Sequence, residues 1–129
     1  MVQLETIGTV ESEFTTPEVP EKMREKKSTI VIKEEYKAGL HKIEECDYLQ
    51  VIFNFHLSDD YKLKGKRRHG DERGVFASRS PRRPGAVGVT TVKLLTREGN
   101  KLRVKGLDAV DGTPVIDIKP YSRRMDELR

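Results

Sequence analysis

Tryptophan is absent from this chain of 129 residues, aromatic side chains make up only 6% of it, and there is one cysteine. Few aromatics leave few platforms on which unpaired bases could stack, which argues against a module that holds single-stranded nucleic acid by stacking alone. The lone Cys46 excludes an internal disulfide framework and has no second thiol with which to bind a metal. It fits a reducing cytoplasm, the expected compartment. His41, His56 and His69 share no ligand spacing, so no metal is expected either. No apolar run approaches the roughly 18 residues needed to span a bilayer. The opening MVQLETIGTV lacks the basic-then-apolar form of a signal peptide, so no membrane partner is expected. GxGxxG, GxxxxGK[ST] and GxSxG are all missing, which disfavours the dinucleotide-binding, P-loop and α/β-hydrolase designs.

Charge is what the sequence has in quantity. Charged residues make up 36% and the net charge is +4, but the two halves differ in sign. Residues 1–60 hold 7 Lys and Arg against 13 Asp and Glu, a net of −6; residues 61–129 hold 18 against 8, a net of +10. A cationic half of that size can attract a polyanion such as RNA, although a well-solvated surface has the same composition. The length suits one domain, residues 1–129.

The apolar residues fall into short strand-like runs. Leu4–Val10 alternates, Thr29–Lys33 is β-branched, and Tyr48–Leu57 is the most apolar run and the candidate central strand. GVFASR, from Gly74, reads as a further strand. Two Val, Leu and Thr-rich runs flank REGN, a hairpin with Gly99-Asn100 at its turn, and Thr113–Tyr121 gives a last strand. Tyr36, Leu40 and Ile43 recur at helical spacing, so a short helix or a pair of turns is expected there, the helix weakened by Gly39. Residues 12–28 read as a long loop and residues 59–73 as a basic exposed loop. Many short strands with little helix predict a mainly β fold, a compact antiparallel β-barrel with one short helix and long loops.

Two segments carry the candidate chemistry. In SRSPRRP, Pro81 and Pro84 fix the backbone while Arg79, Arg82 and Arg83 offer guanidinium forks suited to carboxylate or phosphate. In GLDAVDGTPVIDIKPY, Asp108, Asp111 and Asp117 fall within ten residues. Asp111-Gly112 is also a turn signal, and Asp117 between two isoleucines points away from them if this is a strand. His56, at the end of the apolar run, has the chemistry of an acid, a base or a stacking partner, and equally that of a structural histidine.

Taken in order, VIFNFH, GVFASRSPRRP and VKGLDAVDGTPVIDIKPY resemble the TsaA-like family, also called TrmO, over nearly the whole chain. The resemblance implies a compact β-barrel that binds S-adenosyl-L-methionine, forms a homodimer with cofactor sites near the subunit interface, and N6-methylates N6-threonylcarbamoyladenosine beside the anticodon of tRNA. Carried over by position, the cofactor contacts are His56, Leu57, Arg79, Val89 and the turn Leu107, Asp108, Ala109 and Val110. The matching place for the family's N-terminal Pro-Arg-Gln loop is Pro20, Glu21 and Lys22. The candidates for taking the N6 proton are Asp111, Asp117 and His56. The candidates for gripping the RNA backbone are Lys66, Arg67 and Arg68, with Arg82 and Arg83 on an anion-binding rim.

Two departures from the family pattern bear on substrate choice. Where the family continues Asn-Pro-Ile-Gly, this chain reads GAVG, Gly85–Gly88, and its N-terminal loop reads PEK. GAVG motivates one alternative, a methyltransferase of the same fold acting on a different acceptor; the other alternative is a cofactor- or RNA-binding module without catalysis.

Overall fold

The computed structural model describes residues 2–66 and 70–128. Six strands close into an antiparallel barrel: β1 (Gly8–Glu11), β2 (Lys27–Ile32), β3 (Tyr48–Asn54), and, after a separate two-stranded hairpin of β4 (Lys64–Lys66) and β5 (Glu72–Gly74), β6 (Val87–Glu98), β7 (Lys101–Lys105) and β8 (Pro114–Pro120). Their order around the barrel is β1-β2-β7-β6-β3-β8, with β8 returning to β1. Closure leaves this sheet without an unpaired outer strand.

Alternation drives the closure. In β2, β3 and β7 every second residue is buried: Ser28, Ile30 and Ile32; Leu49, Val51 and Phe53; Leu102 and Val104. Each such aliphatic or aromatic side chain contributes about 1.5–3 kcal/mol relative to exposure. A slip of one residue would turn the whole set outward, so the pattern also fixes register. Register shifts between Ile52 and Phe53 and between Leu94 and Thr96 bend the strands where the sheet curls.

The β6–β7 hairpin turns at Gly99, with φ 59°, as its sequence predicts. The segment read as a short helix or a pair of turns takes the second form. Glu34–Leu40 and Ile43–Glu45 form two 3₁₀ segments separated by Lys42 in the left-handed region, φ 66°. Tyr36, Leu40 and Ile43 still pack on the barrel core, so the apolar spacing is used without an α-helix. The expected strand in GVFASR is also corrected. Its first residue ends β5, and Val75–Ala77 form a 3₁₀ turn with Val75 buried and Phe76 81% exposed. Ser78 closes that turn, donating both N–H and hydroxyl to the Val75 carbonyl. Two four-residue helices complete the chain: α1 (Pro20–Met23), inside the expected long loop, and α2 (Arg123–Asp126).

Strand direction decides which loops meet. In an antiparallel barrel, the ends of β1, β3 and β7 lie at the same rim as the starts of β2, β6 and β8. Segments 12–26, 55–86 and 106–113 therefore gather at one mouth, although as many as a hundred residues separate them in sequence. The opposite mouth collects the 3₁₀ segments and the hairpin turn.

Candidate functional site

The segment 106–113 crosses the barrel mouth from β7 to β8. Gly106 and Gly112, with φ of 103° and 84°, make the two bends that other residues would strain to make. Between them Leu107, Ala109 and Val110 are buried and close the core from above. Their backbone, rather than their side chains, is what they can present to a ligand. The Thr113 hydroxyl donates to the Val110 carbonyl at 2.6 Å, and Thr90 on β6 donates to Asp108 Oδ1 at 2.5 Å.

This turn runs beside a strand edge that is paired on one side only. β6 pairs with β3 from Val87 to Lys93, whereas β7 reaches back only as far as Lys93. A Cβ placed on Gly106 would lie 3.8 Å from the Thr91 carbonyl oxygen, which puts the turn against that edge. Arg79 reaches the same edge, its Nη2 donating to the Val89 carbonyl at 3.0 Å. Val89 is 38% exposed and Leu57, at the end of the neighbouring chain segment, 54%. Backbone donors and acceptors, a partly free guanidinium and two exposed apolar side chains thus share one rim.

The loop that carries Arg79 is shaped by Arg83. Arg83 Nη1 donates to the Ser78 and Ser80 carbonyls at 3.0 and 3.2 Å, drawing SRSP around its own guanidinium. Arg82 is exposed, its backbone N–H on Ser80 Oγ. The loop returns to β6 through Ala86, whose φ of 47° is uncommon for a residue with a Cβ. The Ala86 carbonyl accepts from Phe55 N–H at 2.8 Å and from Asn54 Nδ2 at 3.2 Å, which holds that conformation. Next to it, Gly88 lies under the rings of Phe53 and Phe55, which meet edge to face with centroids 5.2 Å apart.

The structure brings His56 and Asp111 to the same turn. His56 Nε2 would lie 3.8 Å from a Cβ on Gly112, the residue after Asp111. Asp111 Oδ1 accepts the Ser12 backbone N–H at 3.0 Å, and the Asp111 N–H donates to the Phe14 carbonyl at 2.7 Å. These bonds tie the N-terminal segment down across the mouth. Asp117 is not part of this group. It sits mid-strand opposite Ile52 and bridges outward to Lys119, Nζ to Oδ2, at 2.7 Å. That hydrogen-bonded pairing raises the Lys119 ammonium above its ordinary value.

Pro20, Glu21 and Lys22 form α1 on the 12–26 segment, and Lys22 pairs with Glu18 at 3.3 Å. In the basic loop, Lys64 pairs with Glu72 at 3.2 Å and Arg73 with Asp71 at 2.8 Å, so part of its positive charge is already neutralised. Lys66 is exposed on β4, while Arg67 and Arg68 lie outside the described residues. Sequence reading missed Thr90, Asn54 and Arg24, whose Nε donates to the Gly106 carbonyl at 3.3 Å. Each acts through a pairing that only strand order reveals.

Comparison with known proteins follows the same outline. A "Probable S-adenosyl-L-methionine-binding protein" of Archaeoglobus fulgidus is 42% identical over 99% of this chain and 36% of its own length. A second protein of that organism, described as an S-adenosyl-L-methionine-binding protein, is 42% identical over 95% of this chain and 91% of its own length. The "tRNA (adenine(37)-N6)-methyltransferase" of Mus musculus is 43% identical over 61% of this chain and 19% of its own length. The crystal structure of TrmO from Pseudomonas aeruginosa superposes with a TM-score of 0.79 at 28% identity, over 99% of this chain and 59% of that one. The chain thus spans about a third of the first Archaeoglobus protein and about three fifths of the solved TrmO chain. The tRNA-methyltransferase O N-terminal domain model matches residues 7–127, and the chain belongs to that family.

Proposed function

We propose that this chain binds S-adenosyl-L-methionine at the rim built from 55–57, 79–89 and 106–113, and transfers its methyl group to the N6 nitrogen of adenosine 37 in tRNA. The acceptor in this reading is N6-threonylcarbamoyladenosine, as the family resemblance implies. The observation that carries the reading is the turn 106–113 lying against the half-paired edge of β6, with Arg79 on Val89 and with His56 and Asp111 at its far end. The names of the relatives from Archaeoglobus fulgidus and Mus musculus point the same way.

The residues present fit the cofactor by their chemistry. Backbone N–H and C=O groups along Val87–Val92 and Leu107–Val110 can read a base edge without a glycine-rich loop. Arg79 donates one bond to Val89 and has further N–H groups for a carboxylate. Leu57 and Val89 give apolar cover. The bound cofactor supplies an electrophilic methyl group on a sulfonium. The rim residues orient donor and acceptor in line, where alignment contributes much of the rate. Asp111, through the oxygen not held by Ser12, or the His56 imidazole takes the N6 proton.

The homodimer belongs to the same reading. Leu57 and Phe76 stand 54% and 81% exposed on the segments that frame the rim, and a second copy would cover them. The second reading, a different methyl acceptor, is favoured by GAVG, where Gly85 and Ala86 replace an amide and a proline in the loop beside the site.

The test is transfer of labelled methyl from S-adenosyl-L-methionine to total tRNA by the purified protein, followed by nucleoside analysis. Label on the threonylcarbamoyl nucleoside supports the reading. Cofactor binding without label on tRNA moves the acceptor elsewhere.

A further inference from the structure

The outer face of β2, β7 and β6 carries a feature that the rim does not explain. Register places Lys27 directly opposite Lys105, and Lys105 directly opposite Lys93. Three lysines therefore stand in one row across three neighbouring strands, roughly 5 Å apart from strand to strand. All three are exposed. Among the described residues, none of the three side chains has a carboxylate within ion-pair distance, 4.0 Å, or a hydrogen-bond partner. Like charges directly opposite each other destabilise a sheet. Lys101 and Arg103 project from the same face of β7, Lys101 opposite Glu98 and Arg103 holding Thr29 Oγ1 at 2.9 Å.

The row is next to the proposed cofactor turn. Lys105 immediately precedes Gly106, and Lys27 follows the segment in which Arg24 grips the Gly106 carbonyl. By contrast, the described part of the basic loop carries its own carboxylates, in the Lys64–Glu72 and Arg73–Asp71 pairs. An uncompensated cationic row calls for an external anion, and a repeating one suits its geometry: several ammonium groups at regular spacing, with no cleft to enclose a single small ion.

We propose that Lys27, Lys93 and Lys105, with Lys101 and Arg103 beside them, form a docking face for the phosphodiester backbone of the RNA acceptor, which leads the strand to the rim at Gly106. The proposal rests on the RNA part of the function proposed above. Contacts of this kind position the nucleic acid without reading its sequence. Each phosphate neutralised adds about 0.7 to 0.9 to the slope of log affinity against log salt.

The experiment measures binding of total tRNA across a salt series for the wild-type chain and for K27Q/K93Q/K105Q, with S-adenosyl-L-methionine binding followed by calorimetry. The triple variant is expected to bind tRNA roughly tenfold or more weakly, with a salt slope about 2 to 3 lower, and to bind cofactor as the wild type does. Its melting temperature should be equal or higher, since the lysine repulsion is gone; this separates lost docking from lost folding. Unchanged tRNA affinity and slope in the variant overturn the docking face and leave the methyltransferase reading standing. Failure of the wild type itself to bind tRNA overturns both.

Discussion

Thr90 donates its hydroxyl to Asp108 Oδ1 at 2.5 Å, joining the half-paired edge of β6 to the turn that closes the barrel mouth. Thr90 is buried, so replacing it with valine keeps the shape and removes the one bond. A hydrogen bond to a charged acceptor contributes about 1.5–3 kcal/mol. Thr90→Val is expected to lower the melting temperature by several degrees and to weaken S-adenosyl-L-methionine binding, read by thermal denaturation and calorimetric titration. Full cofactor affinity in a folded variant would show that the turn needs no anchor on β6.

Gly88 is a packing requirement. A Cβ there would stand 2.6 Å from the tip of the Phe55 ring and 2.9 Å from that of Phe53. The rings brace each other edge to face and cannot both withdraw. Gly88→Ala is expected to destabilise the fold by about 1–3 kcal/mol in urea denaturation, the usual range for an overpacked site. Adding Phe55→Leu should recover part of the loss.

How far the sequence could be read depends on what each feature rests on. β3 was legible because Tyr48–Leu57 is the most apolar run, and β7 because KLRVK follows the REGN turn with apolar residues at every second place. β4 and β5 were not, because KGK and ERG bury no side chain and carry no apolar signal. Tyr36, Leu40 and Ile43 showed that their segment packs on the core but not that Lys42 would break it into 3₁₀ turns. Asp111 and Asp117 look alike in sequence. Only the fold separates a turn carboxylate at the mouth from a strand carboxylate bridged to Lys119. The lysine row was invisible for the same reason, since its members lie 12 or more residues apart and meet only through register.

Arg97 links three places at the far mouth. Its Nη1 donates to the Leu40 carbonyl at 3.1 Å and to Glu44 at 3.0 Å, and its Nε donates to the Gly99 carbonyl at 2.8 Å. The hydrogen bond from Arg97 is the main cause that holds the Glu44 carboxyl below its ordinary value. A depressed carboxyl contributes stability that is present above its unfolded value and lost as the pH falls through the folded one. Melting temperature should therefore drop on acidification, between about pH 5 and pH 3, more steeply in the wild type than in Glu44→Gln. Identical profiles would mean that the bridge adds nothing beyond the Arg97 bonds to backbone.

Asp111 and His56 are the candidates at this turn for taking a proton from the acceptor nitrogen, and isosteric changes separate them. Asp111→Asn keeps an oxygen for the Ser12 N–H, so the N-terminal segment should stay in place while the basic oxygen is lost. If Asp111 is the base, methyl transfer falls about 10²- to 10⁴-fold with cofactor affinity retained, and His56→Gln has a smaller effect. The reverse order assigns the proton to His56. Asp117→Asn is the control, because its carboxylate faces Lys119 away from this turn, and its transfer rate should match the wild type. If Asp111→Asn and His56→Gln both transfer at the wild-type rate, catalysis at this mouth rests on alignment alone, and the proton leaves to water.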